Sequence, residues 1–228
     1  MTFDAIILAA GAGERYGGPT PKQFSLLAGV PMVVRAVRAA VDAGAARVVV
    51  VVAAAQRSEA AALFEGRLAV TPSFVTGGRT RVDSCRLGLA GLAGGDEVVV
   101  VHDAARPLAA PGLFERAVAA VRAGADAASA AIPSTDTVAR LRQGDVAEIL
   151  ERSTLARLQT PQAFRREVLA GAHARAAAVG DTSATDDCGL VLRHAPRARV
   201  VTVPGDEANV KVTTPHDLRL AELLLAST

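Results

Sequence analysis

Short runs rich in valine, isoleucine and alanine recur along this chain, each followed by a longer amphipathic segment. AIILAA (5–10), RVVVVVA (47–53) and EVVVVHD (97–103) are the clearest. They lack the apolar/polar alternation of a half-exposed strand and are too short for buried helices, so they read as strands covered on both faces. Such strands need helices on both sides of their sheet, and the intervening segments supply them. PMVVRAVRAAVDAG (31–44) has Pro31 at its first turn and Gly44 past its end. QRSEAAALFEG (56–66) and TRVDSCRLGLAGLAG (80–94) read as helices, and Pro111 opens another that runs to about Gly124. LAVTPSFV (68–75) holds a further strand, and DAASAAI (126–132) is another. After residue 160 the pattern predicts a helix from about Arg165, a second near 184–192, the strand RVVTVP (199–204) and a last helix from Pro215. The chain is therefore expected to be α/β, a doubly wound, mostly parallel sheet with helices on both faces.

The alternation breaks at 133–160. PSTDTVARLRQGDVAEILERSTL reads as two short strands around a turn at Gln143-Gly144-Asp145. An isolated hairpin is marginal in water, so this one must pack on something. It is either a protruding arm, at about 133–152, that completes a homodimer, or a hairpin folded back on its own domain. With 228 residues, no internal repeat and no low-complexity linker, the expectation is a single domain over 1–228.

Several function classes are disfavoured by composition. Lys and Arg number 25 against 23 Asp and Glu, a balance unlike that of a general nucleic-acid binder. Aromatic residues make up 3% of the chain, too few for platforms that stack single-stranded bases. The longest apolar run, VVVVVAAA (48–55), is far short of a membrane span, and the N-terminus has no basic n-region. Cys85 and Cys188 belong to no CxxC pair and read as reduced thiols, and no HxxxH or His/Cys cluster points to zinc. These features lead to the expectation of a cytoplasmic protein with neither nucleic acid nor membrane as partner.

LAAGAGERYGGPTPKQF (8–24) follows the first strand and combines glycines with cations. Amides in a glycine-rich turn after a strand can wrap an anionic oxygen. The P-loop string GxxxxGK[ST] is absent. The dinucleotide fingerprint is half present as Gly11-Ala12-Gly13-Glu14-Arg15-Tyr16, but Tyr16 is too bulky for its third position and no acidic residue ends the second strand. A third reading is nucleotidyl transfer, whose charged transition state needs fixed cations, and Arg15 and Lys22 stand just beyond the glycines. An NAD-dependent oxidoreductase and a non-catalytic nucleotide binder are the rival classes.

Together with GGRTRVDS (77–84), VHDAARP (101–107), DT (136–137), TPQAF (160–164), TDD (185–187) and NVKVTTPHDL (209–218), this loop resembles the sugar-nucleotidyltransferase superfamily. Within it, the order and spacing are similar to those of the 2-C-methyl-D-erythritol 4-phosphate cytidylyltransferase family. The resemblance implies CTP and a small polyol phosphate as substrates. It implies Arg15, Lys22 and Lys211 as catalytic cations, and nucleotide contacts from Ala9, Ala10, Gly11, Ala12, Gly13, Gly78, Ser84, Asp103 and Ala104. Asp103 corresponds to a Mg²⁺ ligand. Arg106, Asp136, Thr137, Arg152, Thr160, Thr185 and Asp186 correspond to acceptor-binding positions, with Arg106 and Thr137 acting in trans from a partner's arm. On local grounds alone, Asp103 could equally cap a turn, Thr160 precede one and Asp186 start a helix. A pentitol phosphate such as ribitol 5-phosphate is the alternative acceptor, since both acceptors are short polyol phosphates.

Overall fold

Strand β1 (Phe3–Ala9) sends Phe3, Ala5, Ile7 and Ala9 into one layer of core and Ile6 into the other. The computed structural model describes residues 2–13, 16, 17, 21–65, 68 and 70–227. A small antiparallel pair, β2 (Leu26–Leu27) and β3 (Val30–Pro31), leads into α1 (Met32–Asp42). Gly44 follows that helix at φ 100°, a left-handed conformation that glycine takes without strain. Strand β4 (Ala45–Val52) runs parallel to β1 and also divides its valines, Val48, Val50 and Val52 to one layer and Val49 and Val51 to the other.

The chain continues through α2 (Arg57–Ala62), the edge strand β5 (Ser73–Thr76), α3 (Arg81–Ala90), β6 (Val98–Asp103), α4 (Pro111–Arg122) and β7 (Ala127–Pro133). The helix expected over 56–66 is thus shorter in the structure, the strand expected within 68–75 falls at the end of that segment, and Gly66, Arg67 and Ala69 lie outside the described residues. Next comes the expected hairpin, β8 (Ala139–Arg142) and β9 (Asp145–Ile149), with Gln143 and Gly144 at φ 53° and 96°. Positive φ at both central residues gives a turn whose twist matches paired strands. The hairpin forms its own two-stranded sheet, with Leu141, Val146 and Ile149 exposed by 61%, 64% and 59%.

The sequence reading needs correction at the next element. ARLQTPQAFR forms β10 (Ala156–Arg165), which lies between β6 and β7 and runs antiparallel to both. Pro161 argues against a central strand because it cannot donate to a ladder. In the fold it falls where the β7–β10 register shifts, between Leu158 and Gln162. The chain ends with α5 (Arg166–Ala178), α6 (Asp187–His194), β11 (Val200–Pro204) and α7 (Pro215–Ala226).

The main sheet has seven strands in the order β11-β7-β10-β6-β1-β4-β5, all parallel apart from β10. Helices α1 and α4 cover one face, and α3, α5 and α6 cover the other. The expected doubly wound, mostly parallel architecture is therefore present. From β1 the chain moves outward to β4 and β5, then crosses back to β6 on the other side of β1. The carboxyl ends of β1 and β6 flank this switch point, which is where open α/β sheets place ligands.

Two packing features hold that edge together. Helix α3 crosses the sheet at Gly88, where an added Cβ would lie 2.7 Å from a methyl of Ile6 and 2.8 Å from one of Val51. Thr160 of β10 accepts the amide N–H of Asp103 at 3.0 Å and stands 3.1 Å from His102 Nδ1, while His102 Nε2 lies 3.2 Å from the Arg106 carbonyl. A carbonyl can only accept, so Nε2 carries the proton and the Thr160 hydroxyl donates to Nδ1. His102 is therefore a neutral structural link. Burial pushes its imidazole down to about 4, outweighing the neighbouring Asp103.

Gly88→Val should lower stability by about 2 kcal/mol or more through overpacking, read as a lower urea midpoint with an unchanged slope. The buried histidine sets a pH signature. Above pH 6.5, His102 is neutral whether the chain is folded or unfolded; as pH falls towards 4, only the unfolded chain gains this proton, and stability is lost. The contribution amounts to about 3 kcal/mol. His102→Gln should flatten the pH dependence between pH 6.5 and 4 relative to the unsubstituted protein in urea titrations; parallel curves would refute the assignment.

Candidate active site

The loop after β1 leaves the sheet as Ala10-Gly11-Ala12-Gly13, and the amide of Tyr16 returns to the Gly13 carbonyl at 2.8 Å. Gly13 sits at φ 68°, and a Cβ there would approach Lys22 Cβ at 3.1 Å. A glycine is thus needed for the loop to pass beside Lys22. Buried Gln23 ties the far end of the loop to Gln56 at 2.7 Å. Arg15 lies outside the described residues.

Across the switch point, β6 ends in Asp103, and the amide of Ala104 donates to Leu8 of β1 at 3.0 Å. The third wall is the start of α3. Gly77 donates to the end of β4 at 2.8 Å, and its missing side chain leaves room for Ala10 and Ser84, which a Cβ would meet at 2.5 and 2.9 Å. Gly78 donates to Ser84 Oγ at 3.2 Å, and Thr80 caps the helix by accepting the Asp83 amide at 3.1 Å. Lys211 enters from the loop before α7. Val212 beside it is fully buried and donates to Ala105 at 2.8 Å, and buried Asn209 donates to the Thr160 carbonyl at 2.9 Å.

Ala9, Ala10, Gly11, Ala12, Lys22, Gly78, Ser84, Asp103, Ala104 and Lys211 thereby line one cleft of about 350 Å³. Except for Arg15, and for Gly13 one residue behind the wall, these are the residues expected to hold a nucleotide and the catalytic cations. Leu8, Gln23, Ala105 and Arg79–Arg81 complete the lining. Among the described residues, Asp103 is the one carboxylate in it.

A second cavity of about 300 Å³ adjoins the first and shares Arg81, Asp103 and Lys211 with it. Arg106, Thr160, Thr185 and Asp186, four of the expected acceptor residues, line this second space. Three of them, Arg106, Thr160 and Asp186, already have structural partners. Thr160 serves Asp103 and His102, and Asp186 caps α6 through the Gly189 amide at 2.9 Å while accepting from Gln162 at 2.8 Å. The local expectation of a helix-starting Asp186 is met.

Arg106 lies in the turn after β6 and outside the arm; it donates to the Asn209 carbonyl at 2.7 Å and lines the second cavity. The other expected acceptor residues lie elsewhere. Thr137 and Arg152 line a hollow at the base of the hairpin, with exposed Asp136 beside them, and Arg152 donates to the Thr135 carbonyl at 3.3 Å.

Charge at the junction is tightly arranged. Asp103 accepts from Lys211 Nζ at 2.7 Å, and Arg81 Nη2 stands 3.4 Å from its other oxygen. Burial alone would raise the Asp103 carboxyl, but Arg81 and Lys211 together hold it well below the usual carboxylate range, so it is ionised at neutral pH. Arg81 also pairs with buried Asp187 at 2.8 Å. Sequence reading of GGRTRVDS singled out Gly78 and Ser84 and passed over Arg81. Its place as the first residue of a helix entering the site is the signal that could have found it.

The chain as a whole has known relatives. The family model for 2-C-methyl-D-erythritol 4-phosphate cytidylyltransferase matches residues 3–227. A protein of that name from Cereibacter sphaeroides is 44% identical over 233 residues, spanning 99% of this chain and 98% of its own. One from Frankia casuarinae is 43% identical over 224 residues, 97% of this chain and 80% of its own. The crystal structure of the Thermus thermophilus cytidylyltransferase superposes with a TM-score of 0.79 at 31% identity and full coverage of both chains. The residues that meet at the carboxyl edge thus sit on a chain matched nearly end to end, and it belongs to the 2-C-methyl-D-erythritol 4-phosphate cytidylyltransferase family.

Proposed function

We propose that the chain transfers the cytidylyl group of CTP to 2-C-methyl-D-erythritol 4-phosphate, giving 4-diphosphocytidyl-2-C-methyl-D-erythritol and pyrophosphate in non-mevalonate isoprenoid precursor synthesis. The observation that carries this reading is that two cavities meet at Arg81, Asp103 and Lys211. A transfer between two phosphates needs two anion sites that share one charged junction.

CTP takes the first cleft, with its phosphates near the amides of the glycine loop and the N-terminus of α3, where backbone N–H groups favour anions. The acceptor takes the second. An oxygen of the acceptor phosphate attacks the α-phosphorus in line; the bond from that phosphorus to the β-phosphate oxygen breaks, and pyrophosphate leaves. The attacking phosphate is already ionised, so no general base is required. Arg15, Lys22 and Lys211 counter the negative charge that builds at the α-phosphate.

Mg²⁺ belongs to this proposal. Asp103 is ionised and faces the cleft, and one carboxylate plus substrate phosphates is a donor set that suits Mg²⁺. When bound, the ion neutralises phosphate charge and orients the leaving group.

The proposal includes a single cytidylyltransferase domain with a dimerising arm at about 133–152. The exposed Leu141, Val146 and Ile149 support it, because a second copy would cover them. Thr137, Arg152 and Asp136 would then contribute to the partner's site. No helix among the described residues is long and apolar enough to cross a membrane. A cytoplasmic location is proposed, where the free, buried Cys85 and Cys188 stay reduced.

Pyrophosphate release with Mg²⁺ and CTP should be much faster with 2-C-methyl-D-erythritol 4-phosphate than with ribitol 5-phosphate. The reverse preference would keep the mechanism and replace the acceptor. Lys22→Ala should cost about 10²–10³ in kcat. After subunit exchange with Thr137→Ala, a heterodimer would hold one intact site, and activity should partly return. Proven exchange without recovery would rule out an arm that acts in trans.

A further inference from the structure

Two cations share the Asp103 carboxylate, and the structure holds them very differently. Lys211 reaches Oδ2 from a loop, and its side chain is 42% exposed on a flexible stem. Arg81 faces Oδ1 from the first turn of α3 and is 23% exposed. Behind it, Nη1 stands 2.8 Å from Oδ2 of Asp187, whose side chain is 1% exposed. Asp187 is itself in the first turn of α6, and His173 of α5 approaches its other oxygen at 3.6 Å. The planar guanidinium therefore spans two acids, one at the site and one buried behind it. An ammonium on a single carbon stem cannot span two acids in this way.

A divalent ion on Asp103 must contend with this arrangement. An ammonium at 2.7 Å from Oδ2 and a metal dication would repel each other on the same oxygen. Lys211 has somewhere else to go, because it lines both cavities and can turn to phosphate oxygens. Arg81 does not, because leaving would strip a buried Asp187 of its counter-charge.

We propose that Arg81, anchored by Asp187, is the positioning residue of Asp103, and that Lys211 is an exchangeable placeholder on the oxygen that later takes the divalent ion. The inference rests on Asp103 serving as the metal ligand. In the ligand-free state Lys211 neutralises the carboxylate. When metal and nucleotide arrive, it moves to the phosphates, while Arg81 keeps the other carboxylate oxygen fixed. One lysine thus serves the empty site and the loaded one in turn. The fold also brings Cys85, His173 and Asp187 together, with ligand atoms within 4.8 Å of one another. Arg81 already supplies positive charge to Asp187, which assigns that cluster to anchoring a guanidinium and not to a metal.

The test is Mn²⁺ binding to the nucleotide-free full chain, followed by the paramagnetic resonance signal of free Mn²⁺, with circular dichroism as the folding control. Lys211→Met removes the competing cation and should tighten Mn²⁺ binding about fivefold, the scale of a half-exposed ion pair. Arg81→Lys keeps a charge but loses the fork; it should give no tightening, and it should lower kcat about tenfold or more with a smaller change in KM for CTP. Tighter binding in Lys211→Met combined with a slow Arg81→Lys enzyme supports the proposal. Equal or weaker Mn²⁺ binding in Lys211→Met, including none in either protein, overturns it, as does an Arg81→Lys enzyme with unaltered kcat. If the unsubstituted protein released no pyrophosphate from CTP, the functional reading would fall, while the Mn²⁺ comparison would still decide the placeholder role.

Discussion

Burial of the central strands on both faces is the constraint from which the rest follows. β1, β4 and β6 are walled by helices above and below, and apart from Asp4 and Arg47 near the amino ends their interior positions carry Val, Ile, Leu and Ala. Polar chemistry has no place along such strands and collects where they end. His102 and Asp103 are the last residues of β6, and the glycine loop begins where β1 stops. The order in which the chain visits the strands then matters, because the reversal between β1 and β6 opens the crevice that receives a ligand.

Within that crevice the design is electrostatic. A carboxylate as buried as Asp103 is stable as an anion only if cations and donors surround it. Arg81 and Lys211 provide them. Arg81 is in turn satisfied by Asp187. The result is an alternating row of charges, Asp187, Arg81, Asp103 and Lys211, running from the core behind α3 to the open cleft. The inner members are fixed by burial, while the outer lysine is half exposed. Three of its members, Arg81, Asp103 and Lys211, form the wall that the two cavities share.

Much of this was legible in the residues. Valine runs mark strands because period-free apolar stretches have no exposed face, and Pro31, Gly44, Pro111 and Pro215 mark helix ends through φ and missing donors. Gln143-Gly144 marks the hairpin through its need for positive φ. β10 was not legible. Its composition is mixed, its proline speaks against a strand, and its register break exists only relative to β7. Arg81 was passed over for a related reason: Asp187, the acid it pairs with, is remote in sequence, as Asn209 is from Arg106.

The sequence by itself determined the layers of this protein: which valine- and alanine-rich segments are strands, that they are buried on both faces, where the glycine loop falls and which residue types could meet a triphosphate. Those properties are local, set by periodicity, backbone freedom and side-chain chemistry. Only the tertiary structure decided the antiparallel centre, the joining of two cavities and the sharing of one carboxylate by two unlike cations. Each of these depends on contacts between segments far apart in the chain, and pairing energy at that range is a property of the packed fold and not of any stretch within it.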